Sequence, residues 1–407
     1  MDEATGWEPR YADRAARMRA SEIRELLKLL DRPDIISFAG GIPDPALFPM
    51  EEAREAYAKC LASETVARQG LQYSVSEGYQ PLREWIAGYM GRLGVRCTPD
   101  NILITSGSQQ ALEFIGKLLI SSGETVLVEM PTYLGALQAF SAFEPQYDEL
   151  RLENGNRTAA SYGETAGRSE RVKMAYVVPD HANPTGKTLS VAARERLLDL
   201  AQDLDIPVVE DTAYAALCFE GEPKPSLQAL DVKRCGSIDR SRVIYCGTFS
   251  KTITPGLRVG WICAAAPIVR RLVLIKQAAD LNCSLLNQMV MHRLAESVFE
   301  GQVKRARTHY ARRRDAMIKA LANHMPAGVS WSEPGGGLFV WLTLPDGVDA
   351  AALLQRAVDE IGVAFVPGAA FFPDARGRNT LRLSYSLPDE PTIREGISRL
   401  GRLVAAL

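Results

Sequence analysis

The sequence predicts an α/β protein built on a mostly parallel sheet, followed by a smaller α+β domain. Short apolar runs alternate with helical patterns up to residue 264, which is the order that places parallel strands between two layers of helices. A long helical stretch over 285–322 follows. From residue 329 onward, shorter alternating segments separated by glycine turns indicate a second sheet.

Composition and charge limit the classes of function. The 407 residues carry a formal net charge of -2. The chain therefore has no positive net charge that would attract nucleic acid or an acidic membrane surface. The seven cysteines are scattered and never spaced as CxxC, so we expect no disulfide framework, no metal site and a reducing compartment, the cytoplasm. The first twenty residues lack the apolar core of a secretory signal, and no apolar run is long enough to span a bilayer.

The elements follow from periodicity, caps and turn residues. Ser21 is placed to cap a helix over 21–30 whose apolar stripe is Ile23, Leu26, Leu27 and Leu30. Pro81 suits the first turn of a later helix. The predicted helices are 21–30, 50–63, 81–93, 111–120, 133–143, 191–204, 268–279 and 285–322. The predicted strands are 101–105, 125–129, 146–152, 173–178, 206–209, 242–245, 259–264, 338–344, 363–366 and 380–385.

Two segments are predicted to be irregular. The stretch 35–49 contains Gly40, Gly41 and three prolines, so it suits the lip of a pocket or, alternatively, a linker packed on the surface. The stretch 154–171 is polar and poor in apolar residues, and we expect an exposed connection there.

Polar side chains follow the carboxyl ends of four predicted strands. These residues are Ser108, Asn183, Asp211 and Lys251. Because ligands of parallel sheets bind at the carboxyl ends of the strands, the sequence places a binding site there. The small residues of 106–110 lie between a strand and a helix, an arrangement that points backbone N–H groups at an anion.

The stretch 245–260 combines one amine with groups that bind phosphate. Lys251 lies among the hydroxyls of Thr248 and Ser250, and Arg258 precedes the next apolar run. Hydroxyls and a guanidinium bind a phosphate dianion, and a lysine buried near cations has its pKa lowered toward that of a usable nucleophile. The alternative is a solvated loop between two strands.

Taken together, these residues fit pyridoxal phosphate. Lys251 can form a Schiff base with its aldehyde, and Asp211 can hold the pyridine nitrogen protonated. Asn183 and Tyr214 can hydrogen-bond the ring hydroxyl, and Tyr133 can stack on the ring. The candidate phosphate ligands are Ser108, Gln109, Thr248, Ser250 and Arg258.

Arg382 lies inside the otherwise apolar run LRLSY. A charge there is costly unless it is paired, so the sequence indicates a functional pairing with a carboxylate. The alternative is an edge-strand arginine that faces water.

The chain resembles the fold-type-I pyridoxal-phosphate aminotransferases of class I/II, and within them the bacterial 2-aminoadipate aminotransferases and their kynurenine/aminoadipate relatives. The resemblance implies a mostly parallel seven-stranded sheet flanked by helices. It runs from about residue 20 to the C-terminus through ISFAGGIPDPALFP, LQYSVSEGY, ITSGSQQALE, NPTG, VVEDTAY, TFSKTITPGLRVG, LNQM, PGGGLFVW, FVPG and NTLRLSY.

The resemblance also implies roles for individual residues. Lys251 would carry the cofactor and then move the proton between Cα and C4′, with Asp211, Tyr214 and Tyr133 as its catalytic partners. Tyr73 would reach the phosphate across the interface of a homodimer with shared active sites. The substrate-binding residues would be Arg382 on the α-carboxylate, assisted by Asn183 and the backbone of Gly41, with Arg24 on an acidic side chain. The implied division is 1–48 for the N-terminal segment, 49–285 for the large cofactor domain and 286–407 for the small domain.

The expected activity is amino transfer in two half-reactions, from an L-amino acid such as 2-aminoadipate or glutamate, or one with an aromatic or aliphatic side chain, to a 2-oxo acid such as 2-oxoglutarate. Ile42, Phe339 and Phe371 are candidate apolar walls of the substrate pocket.

A β-lyase or decarboxylase on the same cofactor remains an alternative. A regulator with an N-terminal winged helix is set aside, because about twenty residues precede Ser21. His181 either touches the substrate or is a satisfied loop histidine.

Overall fold

The computed structural model describes residues 6–17, 34–153, 157–165 and 172–407. Its α-helices are α1 Met50–Leu61, α2 Glu64–Gly70, α3 Gln80–Arg92, α4 Ser108–Leu119, α5 Leu134–Ser141, α6 Ala159–Thr165, α7 Val191–Asp203, α8 Leu227–Cys235, α9 Ala266–Ala279, α10 Leu285–His324, α11 Ala350–Ile361 and α12 Glu390–Ala405. Its strands are β1 Ile36–Ser37, β2 Ile102–Thr105, β3 Thr125–Glu129, β4 Gln146–Leu150, β5 Val172–Val177, β6 Val208–Asp211, β7 Val243–Thr248, β8 Gly260–Cys263, β9 Ser330–Trp331, β10 Phe339–Thr343, β11 Val363–Ala364, β12 Val366–Pro367 and β13 Thr380–Ser384.

A seven-stranded sheet in the order β2-β8-β7-β6-β5-β3-β4 forms the centre of the molecule. Strands β3 to β7 pair in parallel, whereas β8 runs antiparallel to both β7 and β2. The predicted α/β fold with a mostly parallel seven-stranded sheet is therefore confirmed. The reversal of β8 was not predicted. It arises because the chain turns directly from β7 into β8 through 249–259, without the helix that a parallel connection needs.

The sheet is held by apolar side chains on both of its faces. All four residues of β2 are buried, and the helix α4 that follows it buries Ala111, Leu112, Phe114 and Ile115. Burying a large apolar side chain contributes about 1.5–3 kcal/mol, so this packing fixes the start of α4 against the edge of the sheet. In the described part of the chain, no helix is both long enough and apolar enough to cross a membrane.

A second, antiparallel sheet has the order β12-β13-β10-β9. The long helix α10 connects the two sheets along the chain and packs against α12. Ile36 of β1 pairs with Val363 of β11, which ties the segment before the large sheet to the C-terminal part of the chain. Because β13 lies between β12 and β10, the edge-strand alternative for Arg382 is wrong.

Several helices differ from the predictions. Helix α4 begins at Ser108 instead of residue 111, so the small residues mistaken for a turn already form its first turn. Helix α6 lies within the predicted connection 154–171, where a single tyrosine, Tyr162, is buried and donates to the carbonyl of Glu149 at 2.8 Å. Because the segment 154–171 is mostly polar, its sequence did not indicate that this tyrosine would be buried. Helices α2, α8, α11 and α12 were not predicted, and the predicted helix 21–30 lies outside the described residues.

Candidate active site

The carboxyl ends of neighbouring strands bring the predicted polar residues to one edge of the large sheet. Strand β6 ends at Asp211, and β7 ends at Thr248, with Ser250 and Lys251 directly after it. These strands are parallel neighbours, so their ends share an edge. Ser108 opens α4 directly beyond β2, as the strand-end pattern predicts.

Lys251 presents an amine at this edge. Its Nζ donates to the carbonyl of Gly41 at 3.1 Å. Burial, followed by the positive charges of Arg258 and Arg382, lowers the pKa of Lys251 to about 8, against an opposing effect of Asp211. At pH 7 about a tenth of the amine is therefore unprotonated, far more than for a free lysine, and attack on a carbonyl requires that form.

Asp211 is a buried carboxylate whose contacts are with neutral groups. Its Oδ2 accepts from the hydroxyl of Tyr176 at 3.0 Å, and its Oδ1 accepts from the backbone N–H of Ala213 at 3.4 Å. Burial raises its pKa to about 6, while these hydrogen bonds and Lys251 oppose the rise. The carboxylate is thus ionised at pH 7 and suited to a cationic ring nitrogen. The sequence did not indicate Tyr176, because a tyrosine within the run KMAYVV is typical of a core residue.

Asn183 connects two other predicted site residues. Its Oδ1 accepts from Nη1 of Arg382 at 2.7 Å, and its side chain lowers the pKa of Tyr214 against the larger effect of burial. Tyr214 is buried, which raises its pKa, and its ring meets Phe339 edge-on with centroids 5.6 Å apart. The side chains of Asn183 and Tyr214 therefore place an amide and a phenol side by side in the site.

The turn between β2 and α4 forms a cradle with Arg258. Gly107 has a φ of 77°, and a Cβ placed on it would come within 2.5 Å of Arg258 Nη2, so only glycine fits. The same Nη2 donates to the carbonyl of Ser106 at 3.1 Å. Nearby, Thr248 Oγ1 donates to Ser250 Oγ at 2.9 Å. Hydroxyls, a guanidinium and a helix N-terminus together form a donor set for a phosphate dianion.

Tyr133 and Gln109 lie together beside this cradle. The hydroxyl of Tyr133 donates to Gln109 Oε1 at 3.5 Å, and Gln109 Nε2 donates to the carbonyl of Gly135 at 2.7 Å. Burial, with the negative charge of Asp211 next in importance, raises the pKa of Tyr133 to about 12. The ring is therefore a neutral, apolar surface near Asp211.

Arg382 is a buried cation that contacts no carboxylate within the described part of the chain. It is 1% exposed, and its Nη1 and Nη2 donate to Asn183 Oδ1 and to the carbonyl of Ala39, each at 2.7 Å. Its guanidinium carbon lies 4.3 Å from the ring centre of Phe339 and 5.1 Å from that of Phe371. Its Nε is buried, and no residue that the structure describes gives it a hydrogen-bond partner. An isolated buried charge is costly, so this guanidinium can serve as the partner of an anion.

The remaining predictions have different outcomes. Tyr73 is 78% exposed in the single chain, and Arg24 lies outside the described residues. Gly41 packs against Phe339, since a Cβ on this glycine would come within 2.6 Å of the ring.

His181 is buried, and its Nδ1 lies 3.1 Å from Thr188 Oγ1. Burial lowers the pKa of His181 to about 4, so this is a neutral, satisfied loop histidine.

The donor set fits pyridoxal phosphate. The amine of Lys251, with its lowered pKa, suits the aldehyde. The buried carboxylate of Asp211 suits the ring nitrogen, and the glycine turn covered by Arg258 suits the phosphate. The fold and this site define a pyridoxal-phosphate-dependent enzyme of fold type I.

Comparisons with known proteins identify the family. The family model for aminotransferase class I and II matches residues 33–400. A 2-aminoadipate transaminase of Thermus thermophilus is 43% identical over 98% of both chains, and aromatic-amino-acid aminotransferase 1 of Thermococcus litoralis is 41% identical over 98% of this chain and 94% of its own. The solved structure of LysN, an α-aminoadipate aminotransferase of T. thermophilus complexed with N-(5'-phosphopyridoxyl)-L-leucine, superposes with a TM-score of 0.88 at 41% identity, over 98% of both chains. The chain belongs to the class I and II aminotransferases.

This membership confirms the predicted activity and cofactor. The protein is a pyridoxal-phosphate-dependent aminotransferase, whose substrates are amino acids and 2-oxo acids. The comparisons give no support to the β-lyase or decarboxylase alternative.

Proposed function

We propose that the residues of this site hold the cofactor and the substrate in the roles that the sequence predicts. Lys251 binds the cofactor covalently, and Asp211 pairs with the ring nitrogen. Asn183 and Tyr214 hydrogen-bond the ring oxygen, and Tyr133 covers the ring. The phosphate ligands are Ser108, Gln109, Thr248, Ser250 and Arg258. When bound, pyridoxal phosphate supplies an electron-withdrawing ring that stabilises negative charge on the substrate Cα.

Lys251 has a second role as the proton carrier. With its Nζ free, Lys251 would take the proton from the substrate Cα and would return a proton to the cofactor carbon C4′. A pKa of about 8 in the protein without cofactor places the amine close to the operating pH, where a general base and acid is most effective. Asp211 supports this step by staying ionised, since its pKa of about 6 lies below neutral pH.

The observation that carries the proposal is the buried guanidinium of Arg382. Its Nε has no hydrogen-bond partner among the described residues, and its other nitrogens are oriented by Asn183 and by the carbonyl of Ala39. An α-carboxylate supplies the missing negative charge and an acceptor for a planar guanidinium. Amino acids and 2-oxo acids share that carboxylate, so one arginine serves both half-reactions.

Within this class, we propose that the enzyme transfers the amino group of 2-aminoadipate or glutamate to 2-oxoglutarate and also accepts amino acids with aromatic or aliphatic side chains. The names of the two relatives at 41% and 43% identity support both kinds of donor. Ile42, 40% exposed, and the rings of Phe339 and Phe371 supply apolar surface. Arg24 is the proposed partner of an acidic side chain.

A screen of amino donors tests this specificity. Each amino acid is mixed with the holoenzyme alone, and the conversion of the cofactor to its amine form is followed by absorbance. We expect 2-aminoadipate and glutamate to react fastest and aromatic donors more slowly. Arg24→Ala should lower the ratio of acidic to aromatic donors about tenfold, the loss of one charged hydrogen bond. An unchanged ratio would remove Arg24 from specificity, and ammonia released without an oxo acid would indicate a lyase.

We propose that the enzyme is a homodimer with shared active sites. Leu71, Tyr73 and Val75 are 72%, 78% and 59% exposed, and a second copy of the chain would cover this apolar segment. In that arrangement, Tyr73 of one copy contacts the phosphate bound by the other.

Mixed dimers test the sharing. When Lys251→Ala and Tyr73→Phe chains are refolded together, the mixed dimer holds one intact site if Tyr73 acts across the interface. We therefore expect the mixture to gain a population with the pyridoxal phosphate Kd of the wild type, while Tyr73→Phe alone binds about tenfold more weakly for lack of one charge-assisted hydrogen bond. If Tyr73 acts within its own chain, no mixed dimer holds an intact site and the gain is absent.

We also propose the three-part division 1–48, 49–285 and 286–407. The pairing of Ile36 with Val363 supports the placement of the N-terminal segment against the small domain.

We propose a cytoplasmic location because none of the cysteines forms a disulfide among the described residues.

A further inference from the structure

A buried lysine outside the proposed roles lies behind the phosphate turn. Lys276 of α9 is fully buried, and its Nζ donates to Oδ1 and Oδ2 of Asp280 at 2.8 and 3.0 Å. The same ammonium group donates to Oε1 of Gln110 at 3.3 Å and lies 3.0 Å from Sγ of Cys283. A lysine is rarely buried so fully, and replacing a buried ion pair by apolar residues is often neutral or stabilising. Stability alone therefore gives little reason for its presence.

The lysine and the aspartate together fix the amide of Gln110. Its Oε1 accepts from Lys276 and from the backbone N–H of Ser106, the latter at 2.8 Å, while its Nε2 donates to Asp280 Oδ2, also at 2.8 Å. If the amide were reversed, its NH₂ group would face two donors and its oxygen would face a carboxylate. Lys276 and Asp280 thus allow only one orientation of the Gln110 amide, the one in which its oxygen accepts from the N–H of Ser106.

Ser106 is the residue through which this network reaches the cradle. Its N–H is held by Gln110, and its carbonyl accepts from Nη2 of Arg258 at 3.1 Å. Gly107 and then Ser108, at the start of α4, follow it directly. A shift of Ser106 would therefore move both the glycine turn and the anchor of Arg258.

We propose that Lys276 is a positioning residue for cofactor binding. With Asp280 it orients Gln110, and through the N–H of Ser106 it holds the turn 106–108 and Arg258 in the geometry that receives the phosphate. The inference rests on the proposed phosphate site. It assigns a role to four residues, Gln110, Lys276, Asp280 and Ser106, that do not themselves touch the cofactor ring.

A comparison of two ligands separates this role from a general effect on the fold. The full-length enzyme is freed of cofactor and titrated with pyridoxal phosphate and with pyridoxal, which has the same ring and aldehyde but no phosphate. Lys276→Met should raise the Kd for pyridoxal phosphate about tenfold, the loss of one charged hydrogen bond, and leave that for pyridoxal within about twofold. Lys173→Met is the matched control, since it removes another lysine that pairs with a carboxylate, Glu124 at 3.4 Å, and should change neither Kd.

A second variant and a reference variant complete the test. Gln110→Leu, at a half-buried position, should reproduce the selective loss even if Lys276→Met does not fold. Arg258→Gln should weaken pyridoxal phosphate binding selectively, because it removes a proposed phosphate ligand. If Arg258→Gln shows this selectivity but Lys276→Met and Gln110→Leu weaken both ligands equally or neither, the positioning role is wrong and the phosphate site stands. If Arg258→Gln shows no selectivity, the phosphate site itself is wrong.

Discussion

Replacing Lys251 with alanine is expected to slow amino transfer by about 10⁴-fold, the upper range for loss of a general acid and base. Within the part of the chain that the structure describes, no other amine at the site can replace Lys251 as the base. The other cations near this amine are the guanidinium groups of Arg258 and Arg382, which stay protonated and cannot take a proton from carbon. The rate of each half-reaction, followed by the absorbance of the bound cofactor, measures the effect.

The covalent role of Lys251 has a separate measurement. Borohydride treatment of the wild-type holoenzyme, followed by peptide mass spectrometry, should place the reduced cofactor on Lys251. Lys187→Ala is the control, because Lys187 is an exposed lysine in the loop that follows Asn183, and it should keep the wild-type label and rate. A label on another lysine, or a Lys251→Ala enzyme as fast as the wild type, would contradict the assignment.

The site residues that the sequence predicted are those that interrupt an apolar run. Asp211 is the last residue of a buried strand, Lys251 comes shortly after another, and Arg382 lies within a third. Parallel strands end at a common edge, so their positions along the chain already imply proximity in space. The order of strands and polar residues along the chain was therefore enough to bring Asp211 and Lys251 to one edge of the sheet, whereas the predicted roles of Tyr73 and Arg24 stay predictions.

The residues that support them left no such pattern. Tyr176 lies in a buried strand, and its sequence context is typical of a core residue. Gln110 and Lys276 are separated by 166 positions, and only the packing of α4 against α9 brings them together. A helix pattern shows which face is buried, but not which polar atom on that face meets another. The direction of β8 was missed for a similar reason, since strand periodicity carries no information on pairing.

Replacing Arg382 with methionine is expected to lower kcat/KM for amino acids by about 10²- to 10³-fold, the range for truncating one partner of a buried charge pair. The substrate carboxylate would enter a space lined by Phe339 and Phe371 without a counter-charge, where an unpaired anion is costly. Lysine at this position should recover only part of the loss, because an ammonium cannot reproduce the planar donor pair that holds a carboxylate in one orientation.

An amine without a carboxylate separates the loss of that contact from damage to the site. With the amine that corresponds to the best amino acid, wild type and Arg382→Met should react at similar low rates, because neither forms the contact. The methionine variant should still bind pyridoxal phosphate, with a Kd raised by about tenfold or less, since Arg382 contacts the proposed ring ligand Asn183 but no proposed phosphate ligand. If the amine and the amino acid lose rate equally, Arg382 acts by shaping the pocket through Asn183 and not by binding the carboxylate.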